Sequence, residues 1–160
     1  MRSSRHFQLI LAILICEAAG LIGSFFTMPA LAPWYASLTK PPLTPPGWVF
    51  GPVWFALYAL MGVAVYRVWE KGPHHRRVRA ALWAFAAQLV LNMLWPLFFF
   101  AAQNPLSGLI EIVVLCGAIV LTISLFARIS RPAAWLLVPY LGWVTFAAYL
   151  NYMLWFLNRL

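Results

Sequence analysis

Long apolar runs separated by short polar segments dominate the hydrophobic pattern of this chain. A helix rises about 1.5 Å per residue, so a run of about twenty residues crosses a hydrocarbon core of about 30 Å. The pattern therefore predicts an all-α integral membrane fold, a bundle of five transmembrane helices with a long loop rich in proline and tryptophan between the first two. The predicted spans are 7–27, 48–69, 80–100, 106–127 and 133–157, the loop covers 28–47, and residues 1–160 form a single membrane domain.

The first apolar run has a cleaved signal peptide as its alternative interpretation. The run is long for the apolar part of a signal peptide, and Glu17 and Gly20 lie inside it, so we interpret it as a membrane span. Two pairs of small residues, Ala19 with Gly23 and Gly20 with Ser24, would let a neighbouring helix approach closely. They predict close packing within the bundle, with a homodimer interface as the alternative.

The loop between the first two spans is predicted to be stiff. The stretch from Trp34 to Trp54 contains five prolines, three tryptophans and a single charge. Proline fixes φ and favours extended geometry in the residue before it, so residues 40–46 should be largely extended. Tryptophans favour the boundary between water and lipid, or the cover of an apolar cavity. We interpret the stretch as the lid of a ligand site, with lid residues Trp34, Tyr35, Lys40, Pro41, Pro45, Pro46 and Phe50.

Composition supports a membrane protein and argues against a metal site. Hydrophobic residues make up 64% of the chain and charged residues 9%, against about a quarter charged in soluble domains. Cys16 and Cys116 lie inside apolar runs, which favours neither a disulfide framework nor a metal cluster. His74 and His75 are adjacent, so they cannot share one helix face, and Glu70 is the acid nearest to them.

The formal charge of +8 is distributed as in a membrane protein. The arginines lie in short segments between spans rather than along one helix face or in a tail, so no nucleic-acid partner is expected. Lys40 and Arg159 fall on one side of the predicted bundle and nine basic residues on the other. In a cell (inner) membrane this places the N-terminus in the cytoplasm and the loop outside. The nine are Arg2, Arg5, Arg67, Lys71, Arg76, Arg77, Arg79, Arg128 and Arg131.

Polar side chains inside the spans should face the bundle interior, because each is costly in lipid. Steps of three and four residues place amides and aromatics on one face of the third span and of the fifth. The amides either contact a ligand or hydrogen-bond between helices, and both interpretations stay open. Glu17 and Glu111 are isolated acids that favour interhelical bonds over a proton relay. The third-span stripe is Gln88, Asn92, Trp95 and Phe99; the fifth-span stripe is Pro139, Trp143, Phe146 and Leu150, with Asn151 one position further round.

Four motifs in the chain have a characteristic combination of proline, tryptophan and amide residues. The first is W-Y-x-x-L-x-K-P-x-x-x-P-P-x-x-V-F at residues 34–50, followed by Trp54. The second is Q-L-x-x-N-x-x-W-x-x-x-F at 88–99, and the third combines P-Y-L-x-W with A-x-x-L-N at 139–151. The fourth is A-G-x-x-G-S-x-x-T at 19–27. Together these motifs resemble the tryptophan-rich sensory proteins, also called the TspO/MBR or translocator family, and the matching pieces follow the order of the predicted bundle.

The resemblance implies a five-helix bundle, often dimeric, whose cavity opens toward the loop and binds porphyrins, sterols and synthetic aromatic ligands. It implies a receptor or sensor with porphyrin as its ligand and no required cofactor. A transporter is one alternative. Light-dependent porphyrin breakdown is another, because tryptophans matching Trp54 and Trp143 are linked to it in some bacterial members. The implied ligand-binding residues are Trp54, Asn92, Trp95, Phe99, Trp143, Phe146, Ala147, Leu150 and Asn151.

The chain departs from the family pattern in its cholesterol motif. That motif allows one to five residues between a tyrosine and the following basic residue. Here six residues separate Tyr152 from Arg159. A sterol ligand is therefore less expected than a porphyrin.

Overall fold

The structure, a computed structural model, describes residues 2–159 and the side chains of residues 5–159. Met1, Leu160 and the side chains of Arg2, Ser3 and Ser4 lie outside this part. The regular elements within it are helical, and five segments are long and apolar enough to cross a membrane, so the predicted all-α bundle of five spans is confirmed. In chain order the elements are α1 (Arg2–Leu31), a 3₁₀ turn (Tyr35–Ser37), α2 (Gly47–Trp69), α3 (Arg76–Pro96), a π-helical turn (Leu97–Ala101), α4 (Pro105–Ala127), α5 (Arg131–Leu136) and α6 (Val138–Asn158).

The spans form a ring in the order α2, α1, α3, α4 and α6, and α5 and α6 together make the fifth span. We call the end that carries loop 32–46 the loop end, and the end that carries the α2–α3 and α4–α5 connections the basic end. α5 packs against α2 at the basic end, whereas α6 touches α2 in few places. The weakest packing in the ring is therefore between α2 and α6, toward the loop end.

Small residues on α1 and α2 allow α1 to pack tightly against its neighbours in the ring. A Cβ atom added at Gly62 would lie 2.5 Å from the Cα atom of Ile13, and one added at Gly20 would overlap the ring of Tyr58. Ala19 is buried, and a Cβ atom at Gly23 would lie 3.4 Å from Pro96. These contacts are the close packing that the small-residue pattern predicts. Ser24 differs, because its side chain is exposed and donates a hydrogen bond to the carbonyl oxygen of Leu21.

Several helix bounds differ from those expected; α1, for example, begins at Arg2 rather than at residue 7. α1 continues to Leu31 with Pro29 in its last turn, where Ala30 is buried and packs against aromatic side chains of the π-helical turn. α3 begins at Arg76 rather than at residue 80, because arginine is a good helix former. The fifth span is divided at Leu137, and Pro139, which lacks an N–H group, lies in the first turn of the new helix, where that group is not needed.

Candidate functional site

Loop 32–46 is anchored to the bundle by aromatic side chains. The ring centroid of Trp34 lies 5.4 Å from that of Phe99 and 6.3 Å from that of Phe100. Tyr35 contacts the same two rings at 6.4 and 5.6 Å. Burial raises the pKa of the Tyr35 phenol. The predicted lid residues Trp34 and Tyr35 therefore hold the loop against the end of the π-helical turn.

A reciprocal pair of hydrogen bonds ties the loop to the end of α6. The backbone N–H of Thr39 donates to Oδ1 of Asn158 at 2.9 Å, and Nδ2 of Asn158 donates to the Thr39 carbonyl oxygen at 3.0 Å. Lys40 folds back on the loop, where its Nζ donates to the carbonyl oxygen of Ala36 at 3.2 Å and lies 4.9 Å from the centroid of the Tyr35 ring. The loop, which leads directly into α2, thus links α2 to the end of α6, and these are the two spans that pack most loosely in the ring.

We expect Asn158→Ala to release the loop without unfolding the bundle. The substitution removes both bonds to Thr39 and leaves the aromatic anchors in place. Amide hydrogen exchange of residues 36–46 should become faster, while exchange within α4 stays unchanged. Exchange of the loop at the parent rate would show that the aromatic contacts alone hold it.

The proline segment of the loop contains a turn that was not expected. The N–H of Thr44 donates to the carbonyl oxygen of Pro41 at 3.1 Å, which closes a β-turn with Pro42 at its second position. The Thr44 hydroxyl donates to the same oxygen at 2.8 Å. Proline is favoured at this turn position because its fixed φ suits it. Residues 40–46 are therefore bent rather than largely extended, with Pro41 buried, Pro45 half-buried and Pro46 exposed.

Four polar side chains form a hydrogen-bonded network in the bundle interior. The hydroxyl of Tyr58 on α2 donates to Oδ1 of Asn92 on α3. Nδ2 of Asn92 donates to the hydroxyl of Tyr140 on α6 at 2.8 Å, and that hydroxyl donates to Oε1 of Gln88 at 2.8 Å. All four side chains are buried. Asn92 thus connects three spans.

A second amide links α3, α4 and α6 nearer the loop end. Nε1 of Trp95 donates to Oδ1 of Asn151 at 3.2 Å, and Nδ2 of Asn151 donates to the carbonyl oxygen of Pro105 at 2.6 Å. The ring of Trp95 stacks on that of Phe99 at 5.0 Å. Leu150, the residue before Asn151, is buried. Both Asn92 and Asn151 therefore make the interhelical bonds that were one of the two interpretations open from the sequence.

Four aromatic side chains lie between α2 and α6, where the packing of the ring is weakest. We call Phe50, Trp54, Trp143 and Phe146 the aromatic seam. Phe50 meets Trp143 with ring centroids 5.8 Å apart, and Trp143 meets Phe146 at the same distance. Trp54 stacks on Tyr58 at 5.5 Å, which joins the seam to the polar network. The indole Nε1 of Trp143 is buried and has no hydrogen-bond partner among the described residues. The seam therefore holds an unpaired buried donor.

The structure divides the predicted ligand-binding residues into two groups. Trp54, Trp143 and Phe146 belong to the aromatic seam, and Ala147, one turn after Trp143, is half-buried. In the other group, Asn92 belongs to the polar network of the bundle interior. The remaining residues of that group lie under the loop: Trp95, Phe99, Leu150 and Asn151.

Two residues of the polar network were missed from the sequence. Tyr58 lies one helical turn after Trp54, and Tyr140 is the second residue of the P-Y-L-x-W motif. The spacing could have assigned Tyr58 to the same helix face as Trp54, because residues four apart on a helix share a face. The motif could have indicated Tyr140.

The two acids inside the spans differ from expectation. Glu111 is buried and neither of its carboxylate oxygens has a hydrogen-bond partner in the described part of the chain. Glu17 is half-buried, and its Oε1 atom likewise has none. The interhelical bonds that the sequence favoured for these acids are therefore not formed. Within residues 2–159, no group of three His, Cys, Asp or Glu side chains is arranged to hold a metal ion.

The fold and site together define a small multi-pass integral membrane protein with an aromatic interior and a loop fastened over one end. The chain belongs to the TspO/MBR family, whose model matches residues 12–156. It is similar to Tryptophan-rich protein TspO of Archaeoglobus fulgidus, with 46% identity over 152 residues covering 94% of this chain and 97% of that protein. Tryptophan-rich protein TspO of Chlorobaculum tepidum is 47% identical over 150 residues, covering 94% and 95%.

The family also reaches animals. Translocator protein of Homo sapiens is 40% identical over 135 residues, which cover 84% of this chain and 80% of that protein. The resemblance carried by the four sequence motifs is therefore confirmed. Membership of this family supports a membrane receptor, sensor or transporter role.

Proposed function

We propose that the protein is a membrane receptor or sensor that binds porphyrins and related flat hydrophobic ligands at the aromatic seam. Such binding would link the protein to tetrapyrrole traffic or to a stress response. The observation that carries the proposal is the buried indole N–H of Trp143, which has no hydrogen-bond partner among the described residues although it lies among aromatic rings between two loosely packed spans. A buried donor without a partner costs about 1–3 kcal/mol, and a ligand acceptor would remove that cost.

The chemistry of the seam suits a flat macrocycle with carboxylate groups. Aromatic side chains bury large flat surfaces and stack on them, and ligand sites commonly combine such walls with a few polar groups. Trp54 and Phe146 would contact the faces of the ring, while Trp143 would donate its N–H to a carboxylate. Insertion would require the Phe50–Trp143 contact to open, which few contacts between α2 and α6 oppose.

A porphyrin-degrading activity is the second candidate, favoured by the presence of Trp54 and Trp143 in one seam. A porphyrin held there would absorb light and pass energy to dioxygen beside two oxidisable indoles. This route needs no nucleophile and base. Product formation that is equal in the dark, or in Trp54→Phe and Trp143→Phe variants, would exclude it.

The proposed site predicts weaker porphyrin binding in Trp143→Phe. The variant keeps an aromatic ring but loses the N–H, and a hydrogen bond to a charged group contributes about 1.5–3 kcal/mol. The dissociation constant of protoporphyrin IX should therefore rise roughly ten- to a hundredfold. The measurement is quenching of tryptophan fluorescence in detergent, titrated to saturation.

Trp83→Phe is the matched control, because Trp83 is exposed on the outer surface of α3. It should bind porphyrin as the parent does. Equal dissociation constants in both variants would contradict the site, and quenching that never saturates would show that porphyrin only partitions into the detergent. Uptake into liposomes above the protein-free rate would favour the transporter alternative.

A further inference from the structure

A cavity lies at the basic end of the bundle, between the start of α1 and the end of α2. Its volume is about 330 Å³, and it is lined by Arg5, His6, Leu9 and Tyr66. Tyr66 follows Tyr58 by eight residues, which corresponds to about 12 Å along α2. The cavity is therefore separate from the aromatic seam, and the proposed porphyrin site does not use it.

The lining combines one positive charge with polar and apolar surface. Arg5 is exposed and has no ion-pair partner among the described residues. Leu9 lies one helical turn further into the bilayer on the same face of α1, and Tyr66 is half-buried on the facing helix. A guanidinium group is thus held at the mouth of a cavity whose deeper wall is apolar.

The surroundings of the cavity are strongly positive. Arg67 is next to Tyr66 in the chain, and Lys71 follows one turn later. The chain has three acidic residues in total, of which Glu70 is the one at this end. Nine of the eleven basic residues are placed at the same end by the order of the spans. An anion therefore experiences net attraction here.

We propose that this cavity binds the phosphate group of an anionic phospholipid from the adjacent leaflet. The planar guanidinium of Arg5 matches the geometry of phosphate oxygens, and the Tyr66 hydroxyl supplies a second donor. Basic pockets between membrane helices are typical sites for lipid headgroups. A volume of 330 Å³ equals about eleven water molecules at about 30 Å³ each, which accommodates a phosphoglycerol headgroup.

The apolar surface favours a lipid over free inorganic phosphate. Leu9, one helical turn after Arg5, gives the cavity an apolar wall. An acyl chain could lie along Leu9 while the headgroup contacts Arg5. Inorganic phosphate would gain nothing from this contact.

The test is lipid retention measured by native mass spectrometry of the full chain, released from detergent containing phosphatidylglycerol or phosphatidylcholine. The parent should retain phosphatidylglycerol preferentially, and Arg5→Gln should reduce its apparent affinity about tenfold, as expected for a lost charged hydrogen bond. Tyr66→Phe should reduce it less. Arg77→Gln is the control, because Arg77 is exposed at the same end and does not line the cavity. It should bind as the parent does.

Three outcomes would overturn the proposal. Equal losses in Arg5→Gln and Arg77→Gln would mean that general surface charge attracts the lipid. Equal retention of the two lipids by the parent would mean that the headgroup charge is not recognised. Complete displacement by millimolar inorganic phosphate would assign the cavity to free phosphate. The thermal midpoint of Arg5→Gln in detergent, which should equal that of the parent, checks that the fold is intact.

Discussion

Gly62→Ala is expected to destabilise the bundle by about 1–3 kcal/mol, which is the usual cost of forcing extra atoms into a packed core. The added Cβ atom would lie 2.5 Å from the Cα atom of Ile13 and 2.8 Å from its backbone nitrogen. A flexible side chain could move aside, but these are backbone atoms, so α1 and α2 would have to separate along their length. The thermal midpoint of the detergent-solubilised protein, measured from the loss of its monodisperse peak on heating, should fall.

Gly117→Ala is the matched control for this substitution. Gly117 lies on the exposed side of α4, and an added Cβ atom would meet nothing within 4 Å. Alanine is favoured over glycine in helices by about 1 kcal/mol, so this variant should be as stable as the parent or slightly more so. If both variants had the same midpoint, α1 and α2 would not be in backbone contact at Gly62.

Asn92→Leu is expected to lower the free energy of unfolding by about 1–3 kcal/mol, because it removes the residue through which three spans are connected. Tyr58 would lose its acceptor, and Tyr140 would lose one donor while keeping its bond to Gln88. Each buried polar group left without a partner costs about 1–3 kcal/mol. The thermal midpoint should therefore fall even in the absence of any ligand.

Tyr58→Phe separates a structural role of Asn92 from a role in ligand contact. If the network stabilises the bundle, Asn92→Leu combined with Tyr58→Phe should cost less than the sum of the two single changes, because the phenol no longer needs an acceptor. Additive losses would argue against the network. A parental midpoint in Asn92→Leu together with weaker porphyrin binding would assign the amide to the ligand instead.

The number of spans could be read from the sequence, while their interruptions could not. Apolar runs of membrane length are a strong signal because every backbone group in lipid must be bonded within its own helix. The division at Leu137 and the π-helical turn at Leu97–Ala101 lie inside such runs. Hydrophobicity does not change at either place. Pro139 indicates an irregularity near Leu137, but proline alone does not distinguish a kink within one helix from the start of a new helix.

The candidate site was predictable as a set of residue types more than as a set of contacts. The motifs place Trp54 and Trp143 on different helices, but the pairing of Asn92 with Tyr58 and Tyr140 depends on the relative height of three spans. Local periodicity carries no information about that height. The bond between Thr39 and Asn158 joins residues 119 positions apart and had no signal at all.

The tryptophans of the chain include an exposed group and a packed group. Trp48, Trp83 and Trp135 are exposed by 77%, 71% and 71% on the outside of the bundle, whereas the indoles of the seam and of the loop anchor are packed between helices. Lipids with brominated acyl chains quench the fluorescence of indoles that they contact, so they should quench the exposed tryptophans first. The emission that survives would then report on the interior, and a porphyrin dissolved in the bilayer could be distinguished from one held between α2 and α6.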